Sequence, residues 1–252
     1  MKKFIYIATI TLIVISILGV HLGAINPVIY RSPNIKLKNG TSSNWSGYAI
    51  QTNLSHPQNN AVSDVQGQWT VPSLSCNSSS AYSSAWVGID GYSDGTVEQI
   101  GTEQDCRSGV PVYLTWFEMY PKMSRAIGLA INPGDVIKGE VKYIGNYSFM
   151  LSLSNITTGQ SFATIQRSKA ARNSAEWIVE APWSGGVLPL ANFGTFAFTN
   201  SSATLNGHTG TINDSGWQND VITMATSSGV IKALPSGLST DGRSFTIAWE
   251  SN

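Results

Sequence analysis

The stretch Tyr147-Ser148-Phe149-Met150-Leu151-Ser152-Leu153-Ser154 decides the fold class, because its large apolar residues alternate with mostly polar ones. Successive side chains of a β-strand point to opposite faces of the sheet, so this alternation is typical of a strand with one buried face. The same two-residue period recurs over residues 65–71 and 243–249. Short alternating segments of this kind favour an antiparallel sandwich or barrel.

Turn signals separate these segments. Asn132-Pro133-Gly134-Asp135 and Thr157-Thr158-Gly159-Gln160 consist of residues that tight turns prefer. After the first twenty residues, Ser168–Ser174 is the one candidate for a short helix. The sequence therefore predicts an all-β protein.

Composition limits the classes of partner. The 252 residues include 15 basic and 15 acidic side chains, and no basic stripe is present, so we expect no nucleic-acid partner. Hydrophobic residues make up 42% of the chain, which is enough for a substantial core. Charged residues make up only 12%, against roughly 25% in typical soluble domains. Low charge suits an acidic medium, because fewer paired carboxylates are lost in acid, but it is equally typical of polar extracellular β proteins.

The N-terminus predicts export. Lys2 and Lys3 precede an uncharged, mostly apolar stretch from Phe4 to Val20, which is the layout of a secretory leader. We predict a signal peptide over residues 1–24, or alternatively an uncleaved membrane anchor over residues 4–20. The protein is accordingly expected to be secreted, or held on the outer face of the membrane. Residues 25–42 are predicted to be a lead-in or short pro-segment, and residues 43–252 one β-rich domain.

Cys76 and Cys106 are the only cysteines. In an oxidising compartment we expect them to form a disulfide. Closing a loop of about 30 residues stabilises a fold by on the order of 3 kcal/mol. Metal ligation is not expected, because no histidine lies near them in the sequence.

Strand parity places acidic side chains in an aromatic or apolar setting in three segments. Each of these segments is predicted to be a strand with acidic residues on one of its two faces. In the first strand this face carries Trp86 and Asp90, in the second Trp116 and Glu118, and in the third Glu176 and Glu180. These acids could simply be solvated residues of amphipathic strands. Their tryptophan neighbours favour a groove instead, because solvated faces rarely need tryptophan.

Six segments, in one order, resemble the motifs of the glutamic peptidases, the eqolisin family. They are Ser43-Asn44-Trp45-Ser46-Gly47, Trp86-Val87-Gly88-Ile89-Asp90-Gly91, Glu98-Gln99-Ile100-Gly101, Trp116-Phe117-Glu118-Met119-Tyr120-Pro121, Ala175-Glu176-Trp177-Ile178-Val179-Glu180 and Leu188-Pro189-Leu190-Ala191-Asn192-Phe193-Gly194. The resemblance runs from about Ser43 to at least Thr199. It implies a sandwich of two curved antiparallel sheets with the catalytic residues in a concave groove.

The resemblance also implies roles for individual residues. Gln99 falls on the catalytic glutamine of the family, and Glu180 falls on its catalytic glutamate. The groove and supporting positions correspond to Trp45, Trp86, Asp90 and Glu118, and parity adds Glu176. Two positions depart from the family pattern: Leu114 and Pro182 stand where acidic residues are usual.

This pair of residues suits peptide hydrolysis. The Glu180 carboxylate can take a proton from the attacking water and return it to the leaving amine. The Gln99 amide can donate to the oxyanion and does not ionise. Because an unperturbed glutamate has a pKa of about 4.3, the sequence predicts an acid endopeptidase. We expect it to act on polypeptides as a monomer, without cofactor or metal.

Two alternatives come from other classes. A β-sandwich glycoside hydrolase would also use two carboxylates across a groove, for which Glu118 with Glu180, or Glu176 with Glu180, are candidates. A non-catalytic carbohydrate-binding module would explain the tryptophans without needing Gln99. The signatures of two other peptidase classes are missing, since Asp214-Ser215-Gly216 has no second copy and His-Glu-x-x-His does not occur.

Overall fold

The computed structural model describes residues 33–38 and 40–252. The predicted signal peptide or anchor lies outside the described residues, as does half of the lead-in. Within the described ranges, no helix has the length and apolarity needed to cross a membrane. The strands of these ranges are β1 (Lys36–Lys38), β2 (Thr41–Ser42), β3 (Trp45–Gln51), β4 (Val62–Thr70), β5 (Ala81–Ile89), β6 (Val97–Arg107), β7 (Val110–Tyr120), β8 (Arg125–Ile127), β9 (Val136–Gly145), β10 (Ser148–Asn155), β11 (Gln160–Arg167), β12 (Ser174–Glu180), β13 (Thr195–Leu205), β14 (His208–Gly210), β15 (Gln218–Ala225), β16 (Ile231–Pro235) and β17 (Phe245–Trp249).

These strands form two antiparallel sheets that share β15. The first sheet has the order β15-β3-β12-β5-β6-β7-β8. The second has the order β11-β10-β9-β4-β13-β17-β16-β15. Strands β4 and β9 of the second sheet pack against β5, β6 and β12 of the first. The fold is therefore the predicted antiparallel β-sandwich.

The core between the sheets depends on two glycines. A Cβ atom on Gly67 would lie 2.9 Å from Cδ1 of Trp177, and one on Gly139 would lie 2.8 Å from Cη2 of Trp69. The missing side chains thus let both indoles pack against the opposite sheet, where each is at most 1% exposed. The indole N–H of Trp177 also donates to the carbonyl of Gln66 at 2.8 Å, which satisfies its buried donor.

The alternating stretch that opened the sequence analysis is confirmed as a strand. Phe149, Leu151 and Leu153 of β10 are fully buried in this core. Tyr147 is an exception: its φ of 58° places it in the turn before the strand, and it is 56% exposed. The predicted turn at residues 132–135 forms, with the amide of Asp135 donating to the carbonyl of Asn132 at 3.1 Å.

The predicted helix over Ser168–Ser174 is wrong, because residues 168–173 are irregular and Ser174 begins β12. The cause is a long-range contact. The backbone amides of Arg172 and Asn173 donate to the Asp90 carboxylate at 2.6 and 2.7 Å. Arg172 also has a φ of 52°, outside the helical region.

The predicted disulfide is confirmed. Cys76 and Cys106 are bonded, with their Cα atoms 5.5 Å apart. The bridge joins the segment that leads into β5 to the end of β6. The described part of the predicted lead-in contains β1 and β2, and β2 pairs in parallel with β15.

Candidate active site

The outer face of the first sheet carries three buried tryptophans, Trp45, Trp86 and Trp116, and we call it the tryptophan face. Alternation along the strands separates it from the core. Val87 and Trp177 lie in the core between the sheets, whereas their neighbours along the chain lie on the tryptophan face. The parity argument from the sequence therefore assigned these strands to the correct faces.

The register of the strands arranges the residues of this face in rows that run across the sheet. The first row runs across four strands as Glu176, Gly88, Gln99 and Glu118. The second contains Ile178, Trp86, Gly101 and Trp116, and the third contains Trp45, Glu180, Ser84 and Glu103. The two predicted catalytic residues thus share one face, with the Trp86 row between them.

Glu180 is the last residue of β12 and is fully buried. The indole N–H of Trp86 donates to its Oε2 at 3.0 Å. The Trp86 ring in turn packs edge-on against Trp45, with ring centroids 4.9 Å apart. Because Trp86 is held by its packing against Trp45, its indole N–H fixes the orientation of the Glu180 carboxylate at the end of β12.

Gln99 is also fully buried, and its Nε2 donates to Oε2 of Glu118 at 2.7 Å. Gly88, beside it, provides the space, since a Cβ there would lie 3.2 Å from the Cβ of Gln99. A primary amide has two N–H donors. One N–H is therefore engaged by Glu118, and the second has no hydrogen-bond partner among the described residues.

Glu176 and Asp90, the other two acidic residues predicted for the site, lie in different surroundings. Burial raises the pKa of Glu176 well above its usual range, against a smaller opposing effect of the Ser174 hydroxyl. Asp90 follows β5 with a φ of 72° and binds the amides that precede β12. Burial, and then the nearby Asp94, raise the pKa of Asp90 to about 7. Asp90 thus braces the start of β12, the strand that carries Glu180.

Sequence reasoning missed two buried acids on the tryptophan face. Glu103 lies in the same row as Glu180, with Ser84 between them, and opposite Leu114 on β7. Asp105 follows on the same face and forms an ion pair with Arg107 at 2.8 Å. Burial, and then Glu103, raise the pKa of Asp105 to about 8 against the opposing effect of Arg107. Counting by two from Gln99 along β6 would have found both acids.

Glu98 is a further buried acid that the sequence did not single out. It pairs with Met119 and Ile89, both core residues, so it faces the interior of the sandwich. Burial, and then Asp90, raise its pKa to about 9. Among the described residues, no group of three or more His, Cys, Asp or Glu side chains is placed to hold a metal ion.

A two-sheet sandwich with these residues on one face is the fold of the glutamic peptidases. Scytalido-glutamic peptidase, solved with a peptide-based transition-state analog, superposes with a TM-score of 0.68 and 27% identity over 82% of this chain and 98% of its own. Aspergilloglutamic peptidase from Aspergillus niger superposes with a TM-score of 0.58 and 31% identity over 68% of this chain and 99% of its own.

Sequence comparison agrees. Residues 43–248 match the model of the Peptidase A4 family. Aspergillopepsin-2 of Aspergillus niger is 34% identical over 194 residues, and Scytalidopepsin B of Scytalidium lignicola is 33% identical over 164 residues. These alignments cover 67% and 60% of this chain, and they span 66% and 62% of the two relatives. The chain belongs to the Peptidase A4 family, the glutamic peptidases.

Proposed function

We propose that the protein is a secreted acid endopeptidase that cleaves polypeptides with Glu180 and Gln99. The observation that carries the proposal is the pairing of each residue with its own anchor on one buried face. Trp86 fixes the carboxylate, and Glu118 fixes the amide. Family membership supports peptide hydrolysis, and a similar solved peptidase holds a peptide-based transition-state analog.

The chemistry follows from these two groups. The Glu180 carboxylate accepts a proton from water as the water oxygen attacks the carbonyl carbon of the scissile bond. The carbonyl oxygen becomes an oxyanion and accepts a hydrogen bond from the free N–H of Gln99. The tetrahedral intermediate then collapses, the C–N bond breaks, and Glu180 returns its proton to the leaving nitrogen. Glu180 ends as a carboxylate, ready for the next water.

Acidic conditions suit this cycle, because Glu180 must release and take up a proton at the working pH. Secretion follows from the leader-like apolar stretch, Phe4 to Val20, with anchoring at the outer membrane face as the alternative. We infer that the enzyme works as a monomer, because both proposed catalytic residues and both of their anchors come from one chain.

The test is hydrolysis of a denatured protein between acidic and neutral pH. Glu180→Gln should abolish cleavage and keep the fold, because an amide cannot accept the proton of water. Glu250→Gln, an exposed residue near the end of the chain, is the matched control and should retain full activity.

Three results would overturn the proposal: full activity of Glu180→Gln, loss of activity with a chelator, or an optimum above neutrality. Release of reducing sugar from a polysaccharide, without peptide cleavage, would support the glycoside-hydrolase alternative instead. Saturable polysaccharide binding without any turnover would support the binding-module alternative.

A further inference from the structure

An open pocket of about 640 Å³ adjoins the tryptophan face. Its lining is polar apart from one leucine and one tyrosine, and comprises Lys36, Leu54, Ser55, Tyr92, Gln218, Asn219 and Asp220. Tyr92 belongs to the same buried cluster as Trp45 and Trp86, and Leu54 packs against that cluster. The pocket therefore lies directly beside the tryptophan face.

The pocket already contains a cation from the chain itself. Nζ of Lys36 lies over the Tyr92 ring, 3.5 Å from its centroid. The Tyr92 hydroxyl donates to Oδ2 of Asp220 at 2.6 Å, so a carboxylate stands at the edge of the same ring. An aromatic face beside a carboxylate is a typical environment for binding an ammonium or guanidinium group.

Apart from Lys36, the charged residue that lines the pocket is acidic, namely Asp220. Burial lowers the pKa of Lys36, while the negative charges of Asp220 and Glu176 act in the opposite direction. Lys36 is nevertheless an exposed residue, so the pocket is open to solvent beside it. Its ammonium can thus be exchanged for another cation without unfolding the surrounding strands.

The segment that carries Lys36 lies outside the part of the chain that matches the family, which begins at residue 43. Backbone contacts hold this segment against the domain. The amide of Asn34 donates to the carbonyl of Gly91 at 3.1 Å, and the amide of Ile35 donates to Oδ1 of Asn44 at 2.9 Å. Lys36 is therefore placed over Tyr92 by a segment that the family pattern does not include.

We propose that this pocket is a substrate subsite for a basic side chain, and that Lys36 occupies it until a lysine or arginine of the substrate displaces it. The inference rests on the proposed peptidase function and adds a specificity to it. The ring of Tyr92 would bind the incoming cation, Asp220 would balance its charge, and Leu54 would contact its methylene groups.

The experiment compares two peptide series of one parent sequence. A single lysine is moved through the positions around the scissile bond in one series, and norleucine replaces it in the other. In Lys36→Ala, the ratio of kcat/KM for lysine over norleucine should rise about fivefold at one position, because the competing ammonium is gone. Lys38→Ala, an exposed lysine of the same strand, should leave the ratio unchanged.

A second readout does not depend on turnover. The same peptides are titrated calorimetrically into Glu180→Gln, with and without Lys36→Ala. Tighter binding of the lysine peptide only after Lys36→Ala supports the subsite, and adding Asp220→Asn should remove that gain. An unchanged lysine preference in both assays would show that Lys36 is merely a surface residue. Failure of the parent enzyme to cleave any peptide would count against the proposed function, and the binding assay alone would then decide the subsite.

Discussion

At the scale of single residues, each member of the proposed dyad is hydrogen-bonded to a neighbouring side chain of the tryptophan face. The indole of Trp86 can only donate, so it binds one oxygen of the Glu180 carboxyl group. The Glu118 carboxylate, when ionised, can only accept, so it orients the Gln99 amide with its nitrogen towards Glu118. The anchors thus set the orientation of both reacting groups before substrate arrives.

This geometry predicts the effect of removing the amide. Gln99→Ala should lower kcat by about a hundredfold or more, the usual scale for loss of one oxyanion donor. Gln99→Glu should be inactive near neutrality, because a second carboxylate repels the oxyanion. Steady-state kinetics on one peptide checks both variants. A Gln99→Ala enzyme with an altered KM and a normal kcat would assign Gln99 to substrate binding alone.

At the scale of strands, the sequence predicted on which side of a strand a residue lies better than it predicted which strands are adjacent in the sheet. Parity placed Trp86, Glu118 and Glu180 each on the acidic face of its own strand, because a two-residue period is a property of the extended backbone. It did not reveal that β12 lies between β3 and β5, which is decided by packing between distant segments. For that reason the row that joins Glu180 to Glu103 through Ser84 could not be read from the sequence.

Local signals failed where a distant side chain decides the backbone. Ser168–Ser174 lacks a helix because Asp90 binds two of the amides in this region. Tyr147 continues the apolar alternation in sequence, yet the turn takes it out of the strand. In both places a tertiary contact or a turn overrides local preference.

A prediction about stability, also at the scale of strands, concerns the disulfide. Replacing Cys76 and Cys106 together with serine should lower the free energy of unfolding by about 3 kcal/mol, because the loop between them is no longer closed. Urea denaturation of the oxidised protein and the double variant measures the difference. Peptidase activity at low temperature should survive, since the bridge lies at the far end of β6 from Gln99. Equal midpoints would mean that the bridge does not stabilise the fold.

At the scale of the whole molecule, buried carboxyl groups dominate the response to pH. The low content of charged residues already suggested that the fold tolerates acid. The burial of several carboxyl groups gives a stronger reason to expect this. The folded-state pKa values of Asp90, Asp105 and Glu98 are raised to about 7, 8 and 9, and that of Glu176 is raised as well. In an unfolded chain such groups titrate at about 4. The folded protein therefore binds more protons than the unfolded chain between these limits.

The sign of the effect follows from that difference. The stabilising contribution of these protonated groups is complete below about pH 4, and it is lost as pH rises through their folded-state values. Each group that is protonated only when folded lowers stability by about 1.4 kcal/mol per pH unit. We expect the urea midpoint to fall steadily from acidic to mildly alkaline pH.

Glu98→Gln isolates one such group, because glutamine has no proton to lose. The slope of stability against pH should become shallower by up to about 1.4 kcal/mol per pH unit. Glu250→Gln, at an exposed position, should leave the slope unchanged. A parent protein that is more stable at neutral pH than in acid would contradict this account of the buried acids.

Strand β15 has a consequence for motion. Residues Gln218–Ile222 pair with β3 of the first sheet, and Met224 and Ala225 pair with β16 of the second. One short strand is thus hydrogen-bonded into both layers through neighbouring residues, and the two layers stay joined along β15 as long as both ladders hold. Conformational adjustment during a catalytic cycle is therefore left to segments outside these ladders, such as the turn between β7 and β8 and the loop that follows Glu180. We therefore expect backbone amide exchange to be slower in β15 than in those two segments.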